Sequence, residues 1–295
     1  MNCDICGNSN ISIIYDDYIR DGAPGTLTKI KYKMYQCQAC RTIWHEHKKD
    51  ENVDYYQSKD YRNKLEGTAD LGDYYRLHDF EVYDKFTYCG TEIFRNANVA
   101  DIGCGGGGFL DFLSGVSDNI VAIEPSAEYR KSLAERGYHT YTYASEAAKD
   151  WNNKLDVVTS FDVIEHVDNP TDFMKDVYSL LAESGKAIIG TPTDCPIMRE
   201  LIGKDYEQGL LYSFQHIWIL SEDGFRKCCE NAGFTKVVIK QYQRYGLSNM
   251  LVWLRDKKPK GHVKFDFVSD SLDSVYRHEI EKAGQGDYIV AYVEK

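Results

Sequence analysis

A run of glycines between an apolar segment and a helix-like segment places the strongest constraint on the fold. Residues 98–102 have the apolar character of a buried strand, residues 103–108 contain five glycines and Cys104, and residues 109–113 resemble the start of a helix. Glycine has no Cβ atom, so the main chain can turn sharply and approach a ligand closely. A strand, a glycine loop and a helix in this order predict an α/β sheet whose first loop holds a ligand.

Two acidic residues at strand ends indicate which ligand this loop favours. The next predicted strand, residues 119–123, is followed by Glu124, where a carboxylate can accept both hydroxyls of a ribose. Asp101 lies next to the glycine loop, where it would repel the pyrophosphate of a dinucleotide and attract the ammonium of a methionyl group. The sequence therefore favours S-adenosylmethionine, with a nicotinamide-dependent oxidoreductase as the less favoured alternative.

With four later segments, these residues resemble the class I S-adenosylmethionine-dependent methyltransferases. Residues 155–167 resemble the fourth strand and its loop, 180–192 a helix, turn and fifth strand, 232–239 the turn into the sixth strand, and 288–293 an antiparallel seventh. The resemblance covers about residues 95–240 and implies a doubly wound, Rossmann-like α/β fold with a seven-stranded, mostly parallel sheet. The expected cofactor-binding residues are Asp101, Gly103, Cys104, Gly105, Gly107, Glu124, Pro125, Ser160 and Phe161, with Arg76 from a preceding aromatic segment.

Four cysteines in two pairs of identical spacing predict a metal site near the start of the chain. The pairs are Cys3 with Cys6 and Cys37 with Cys40, and short alternating runs between them are typical of strands. Four thiolates complete a closed tetrahedral zinc site with no open position, so the expected zinc is structural. A redox dithiol is the alternative, but it needs a single pair.

Two histidines are candidates for a general base. His166 follows the predicted fourth strand, and His216 follows an insertion after the fifth, so both are expected near the carboxyl edge of the sheet. Glu165 is positioned to orient an imidazole. The alternatives are that His166 anchors a loop, that His216 packs against Trp218, or that methyl transfer proceeds by proximity without a base.

A zinc ribbon ahead of such a core resembles methyltransferases that modify sugars and polysaccharides. We therefore expect O-methylation of a sugar, a nucleotide-sugar or another small polar acceptor; C-methylation of a deoxysugar nucleotide and a non-catalytic scaffold are the alternatives. The expected organisation is a zinc ribbon at 1–50, a helical lid or linker at 51–96, and a methyltransferase domain at 97–295 in which 245–287 is an insertion before the last strand.

Charge and hydropathy exclude some partners. The net charge of −11, from 35 basic and 46 acidic residues, argues against general nucleic-acid binding. The longest apolar run, residues 288–293, is far shorter than the ~20 residues of a membrane span. The first residues lack the features of a signal peptide, which predicts a cytoplasmic protein. The oligomeric state is left open by the sequence.

Overall fold

A small antiparallel sheet is built mainly from the first part of the chain. The computed structural model describes residues 1–47 and 71–295. The sheet has the order β1-β2-β3-β9, where the strands are β1 (Ile11–Asp17), β2 (Tyr32–Cys37), β3 (Ile43–His45) and β9 (Trp218–Ile219). The first two strands confirm the two strands predicted between the cysteine pairs.

A second sheet contains seven strands: β4 (Asn98–Ile102), β5 (Asn119–Ile123), β6 (His139–Tyr141), β7 (Leu155–Phe161), β8 (Leu181–Pro192), β10 (Lys236–Tyr242) and β11 (Tyr288–Glu294). Their order is β10-β11-β8-β7-β4-β5-β6, and the pairs β4–β5, β4–β7, β5–β6 and β7–β8 are parallel. The chain runs outward from β4 in both directions, which confirms the predicted doubly wound fold. The switch point lies between β4 and β7, where such sheets bind ligands.

Helices flank these strands in the sequence: α1 (Leu71–Cys89), α2 (Gly108–Leu113), α3 (Ala127–Glu135), α4 (Ala144–Trp151), α5 (Pro170–Leu180), α6 (Pro196–Ile202), α7 (Lys204–Tyr206), α8 (Glu222–Ala232), α9 (Leu247–Asp256) and α10 (Asp270–Lys282). Helix α1 lies within the helical lid or linker expected at 51–96, and it ends just before Gly90, which has a φ of +71°. A short 3-10 turn, Glu92–Phe94, follows.

The described chain divides into two compact units, each assembled from separate stretches. One comprises Met1–His47, Thr191–Phe225 and Ile239–Val290; the other contains the described residues 71–190 with Arg226–Val238 and Ala291–Lys295. The domains expected from the sequence are continuous stretches of the chain, and this organisation remains a prediction. Part of the expected lid at 51–96 lies outside the described residues.

Each unit has its own apolar core. In the first unit, Ile19, Met34 and Trp253 are fully buried in one cluster. In the second, Val99 of β4 and Leu110 of α2 are fully buried together, because a parallel sheet covered on both faces has strands without a solvent-facing side. Among the described residues, no helix combines the length and apolar character needed to cross a bilayer.

Candidate cofactor site and cysteine cluster

The ends of β4, β5 and β7 place the predicted acidic residues at one edge of the sheet. Asp101 is in register with Thr159 on β7, and Ile102 is in register with Ile123 on β5. The Gly103 amide donates a hydrogen bond of 2.7 Å to the carbonyl of Ile123, which ties the glycine loop to the neighbouring strand. Asp101, the glycine loop and Glu124 are therefore neighbours at this edge of the sheet.

Three glycines of the loop adopt conformations that side chains avoid. Gly103, Gly105 and Gly107 have φ values of +75°, +55° and +83°. A Cβ on Gly103 would lie 2.3 Å from Val163 Cγ2, and one on Gly105 would lie 2.5 Å from the hydroxyl of Tyr74. Both the backbone conformation and the close neighbours thus require glycine, and they leave main-chain groups at the loop surface.

Glu124 fixes the shape of this loop through its carboxylate. Its two oxygens accept hydrogen bonds from the amides of Gly105 at 2.9 Å and Ser126 at 2.8 Å. Arg130 donates to the carbonyls of Glu124 and Pro125 at 2.7 and 2.6 Å, so Pro125 contributes main chain to the same corner. A carboxylate oxygen can accept more than one hydrogen bond, as binding of a ribose diol by Glu124 would require.

Asp101 has one satisfied and one unsatisfied oxygen. Its side chain is 1% exposed, and Thr159 donates a hydrogen bond of 2.7 Å to Oδ1. Within the described residues, Oδ2 is buried and has no hydrogen-bond partner. Burial raises the pKa of Asp101, while the positive charge of Lys85 acts in the opposite direction. A buried carboxylate oxygen without a partner among the described residues requires a further donor, and the ammonium of S-adenosylmethionine or a bridging water is such a donor.

Two residues of α1 belong to this site although the sequence analysis did not single them out. The Tyr74 hydroxyl lies 3.5 Å from the Cys104 carbonyl, and the Lys85 Nζ lies 5.5 Å from the centre of the Phe161 ring. Their positions differ by eleven residues, which is three helical turns, so both occupy one helix face. This spacing of eleven residues is the feature of the sequence that could have identified both residues. The predicted role of Arg76 stays a prediction: its side chain is 70% exposed and pairs with Asp73 at 2.8 Å.

Arg136 also holds the loop and was not predicted. Its guanidinium contacts both carboxylate oxygens of Asp111 at 2.5 and 2.6 Å, and it donates to the Gly106 carbonyl. Tyr75 donates to the same carbonyl at 3.2 Å. One guanidinium nitrogen, Nη1, makes both contacts with Asp111 while Nη2 donates to Gly106, so the Arg136 side chain ties the loop to α2.

The remaining predicted cofactor residues have structural contacts. Cys104 is 2% exposed, and burial raises its thiol pKa, which favours the packing role over a nucleophile. The Ser160 hydroxyl donates to the Ile102 carbonyl at 2.9 Å and thereby joins β7 to β4. Phe161 is 6% exposed, with its ring 6.5 Å from that of Phe109. Phe161 thus forms an apolar wall beside Lys85.

Glu165 and His166 lie together on a short 3-10 turn, Ile164–His166, after β7. Glu165 is 1% exposed, and its Oε1 is 3.8 Å from His166 Nε2. The amide of His166 donates to the Val163 carbonyl at 2.9 Å. This geometry fits both hypotheses for His166, since the ring is near a carboxylate and the main chain anchors a loop. His216 belongs to the other compact unit, where it is half-buried and precedes β9.

The four predicted metal ligands converge. Their sulfur atoms all lie within 4.8 Å of one another, with Cys3 and Cys40 at 3.7 Å and Cys6 and Cys37 at 3.5 Å. A tetrahedral zinc with Zn–S bonds of about 2.3 Å requires sulfur separations of about 3.8 Å. The cluster therefore fits zinc in ligand type, number and spacing.

A tight turn follows each of the two cysteine pairs. Gly7 and Arg41 follow the two pairs in the left-handed region, with φ values of +74° and +61°. The contact between the Cys3 and Cys40 sulfur atoms lowers the pKa of Cys40 and raises that of Cys3. Binding of a metal by all four sulfurs would require each thiol to lose its proton.

Comparison with known protein families gives one match over more than half of the chain. Residues 75–239 match the model of a family described as a methyltransferase domain. Among curated proteins, the ubiquinone biosynthesis O-methyltransferase of Glaesserella parasuis is 28% identical over 131 residues, or 40% of this chain and 56% of that protein. The mitochondrial protein of the same name from Schizosaccharomyces pombe is 29% identical over 115 residues, or 34% of this chain and 42% of that protein. The chain thus spans about half the length of the curated relatives it matches.

Among solved structures, a SAM-dependent methyltransferase from Archaeoglobus fulgidus has a similar fold. The TM-score is 0.50 at 18% sequence identity, and the alignment covers 80% of this chain and 98% of the other. At this identity the likeness concerns the fold alone.

Proposed function

Because the chain belongs to the methyltransferase-domain family, we propose that it transfers a methyl group from S-adenosylmethionine to an oxygen atom of a small polar acceptor. The observation that carries the proposal is the glycine loop held by Glu124 beside the unsatisfied oxygen of Asp101. A scaffold protein would not need this combination, because each of the two carboxylates occupies a costly buried position.

The residues of this site bind and orient the cofactor. Glu124 accepts hydrogen bonds from the ribose hydroxyls as well as from the amide of Gly105 in the loop. Asp101 accepts a hydrogen bond from the ammonium group, directly or through water, and the positive charge of Lys85 balances part of the negative charge of Asp101. The buried rings of Phe161 and Tyr74 help to exclude water from the site. When bound, S-adenosylmethionine supplies an electrophilic methyl group on a sulfonium, so the protein needs to supply position and, for a hydroxyl, a base.

We assign the base to a histidine. A sugar hydroxyl is a poor nucleophile at neutral pH, and neutral imidazole is the side chain best suited to accept its proton. The His166 ring lies near the buried Glu165 carboxylate, with Nε2 3.8 Å from Oε1, and in this proposal the carboxylate orients the ring once the acceptor is bound. His216 remains the second candidate because of its position after β8 in the chain.

An oxygen acceptor agrees with the relatives, which are named O-methyltransferases. The carbohydrate class rests on the combination of a four-cysteine module with a methyltransferase core, which resembles sugar-modifying enzymes. Zinc at Cys3, Cys6, Cys37 and Cys40 has a structural role in this proposal, because four thiolates leave no position for a substrate.

A screen with methyl-labelled S-adenosylmethionine tests the acceptor. The panel contains free sugars, nucleotide-sugars and intermediates of ubiquinone biosynthesis, with product analysis by mass spectrometry and NMR. We expect label on the oxygen of a carbohydrate hydroxyl. Label on a carbon would support the C-methylation alternative, and label on the ubiquinone intermediates alone would overturn the carbohydrate assignment.

A further inference from the structure

Residues 212–221, here termed the histidine segment, are bound by main-chain hydrogen bonds to the first part of the chain. In the pairing of β3 with β9, Trp44 is opposite Trp218. The amide of His45 donates to the Ile217 carbonyl at 3.3 Å. At the other end, Arg20 donates to the Tyr212 carbonyl at 3.0 Å and accepts from the Phe214 amide at 2.9 Å. The main chain on both sides of His216 is therefore held by residues that precede residue 48.

Side chains also connect the histidine segment to the turn that contains Cys40. The Ser221 hydroxyl donates to the carbonyl of Cys40, one of the four candidate metal ligands. A Cβ on Gly224 would lie 1.9 Å from Thr42 Oγ1, so the start of α8 packs directly on the same turn. The amide of Gly22 also donates to Gln215 Oε1 at 3.2 Å.

The turn that receives these contacts depends on the cysteine cluster for its shape. The amide of Cys37 donates to the Thr42 carbonyl at 3.0 Å, and the amide of Arg41 donates to the Cys37 carbonyl at 2.9 Å. Cys37 and Cys40 bracket this turn and reach the other pair through their sulfurs. Without a cation, thiolates so close together repel each other, and a module of this size has little apolar core to compensate.

We propose that the cysteine cluster positions the histidine segment, so that metal occupancy controls the methyl-transfer step and not the affinity for cofactor. The inference rests on the proposed function, in which the cysteines bind zinc and His216 is a candidate base. Asp101, Gly105 and Glu124 belong to the other compact unit and make the contacts described above within it. Loss of metal therefore loosens the histidine segment and leaves the glycine loop unchanged.

Hydrogen exchange on the full chain, before and after metal removal by a chelator, tests this coupling. We expect faster exchange in peptides that cover residues 37–45 and 212–221, with unchanged exchange in residues 98–124 and unchanged affinity for S-adenosylmethionine by calorimetry. Unchanged exchange in residues 212–221 after confirmed loss of the metal would overturn the inference. Equal loosening of residues 98–124 would also overturn it, because the effect would then be global.

A substitution tests the same coupling with the metal in place. Gly224→Ala introduces a methyl group against Thr42, whereas Gly209→Ala is a matched control because a Cβ there meets nothing within 4 Å. Gly224→Ala should retain one zinc per chain, speed exchange in residues 212–221 and lower kcat by up to about 100-fold, with KM for S-adenosylmethionine unchanged. Thr42→Ala in the Gly224→Ala background removes the nearest atom and should restore kcat.

The control and rescue separate the possible failures. Gly209→Ala should match the parent protein in exchange, affinity and kcat. Normal exchange and normal kcat in Gly224→Ala would overturn the inference. If S-adenosylmethionine does not bind at all, the proposed function fails, while the exchange measurements still decide whether the cysteine cluster orders the histidine segment.

Discussion

Asp101 is a buried acidic side chain whose charged form is unfavourable in the folded protein. It is buried at the end of β4 with one hydrogen bond to Thr159, and burial raises its pKa. A raised folded-state pKa means that the folded protein retains a proton which the unfolded chain releases. Stability is therefore lost as the pH rises from the unfolded pKa of about 4 through the folded value, and the penalty is complete above it.

The variant Asp101→Asn should remove this pH-dependent penalty because the amide keeps an oxygen for Thr159 and carries no charge. Relative to the parent, its free energy of unfolding should increase between pH 4 and pH 8, as measured by urea unfolding without cofactor. Its affinity for S-adenosylmethionine should fall, because an amide attracts an ammonium less than a carboxylate does. A parallel pH dependence in both proteins would contradict the assigned cause.

Glu124→Ala tests the ribose-binding role at the neighbouring strand end. Hydrogen bonds to a charged group contribute about 1.5–3 kcal/mol, so affinity for S-adenosylmethionine should fall about 10- to 100-fold. Some stability should also be lost, since the amides of Gly105 and Ser126 lose their acceptor. Glu135→Ala on α3, whose side chain is 68% exposed, is the control. Equal affinity in both variants would show that Glu124 has a purely structural role.

Among the elements, the 3-10 turn after β7 carries the most specific chemical prediction. If an alcohol is methylated, His166→Ala or His216→Ala should lower the rate about 10²- to 10⁴-fold, the usual contribution of a general base. Affinity for S-adenosylmethionine should change little. The rate in the parent protein should also fall as the pH is lowered, because protonated imidazole cannot accept a proton. Near-normal rates in both variants with a verified acceptor would mean that proximity alone suffices.

Elements with a strong local pattern could be predicted from the sequence, and elements defined by distant partners could not. The strands β4 and β5 were predicted at their observed bounds because buried apolar runs next to glycine or acidic residues have a distinct signature. The two-residue strand β9 has no periodicity, and its pairing with β3 depends on residues far along the chain. Likewise, Arg136 contacts Gly106 because the end of α3 folds against the loop, and no sequence pattern predicts this contact.

On the scale of the whole molecule, the division into two discontinuous units indicates which parts of the chain the metal should stabilise. The four cysteines belong to the unit that also contains residues 191–225, so the metal should stabilise more than the first 47 residues. We predict one zinc per chain by elemental analysis, and its removal should lower the melting temperature. A double variant, Cys37→Ser with Cys40→Ser, should lack zinc, whereas Cys228→Ser, which alters a buried cysteine outside the cluster, should retain it. Carefully purified parent protein without zinc would contradict this prediction.

Calorimetric titration with S-adenosylmethionine and, separately, with NAD tests the central claim most directly, because it requires no knowledge of the acceptor. Asp101 next to the glycine loop favours an ammonium and disfavours a pyrophosphate. We expect one S-adenosylmethionine to bind per chain, with affinity reduced in Glu124→Ala, and no measurable binding of NAD. Tight binding of NAD with none of S-adenosylmethionine would contradict the assignment of this protein as a methyltransferase.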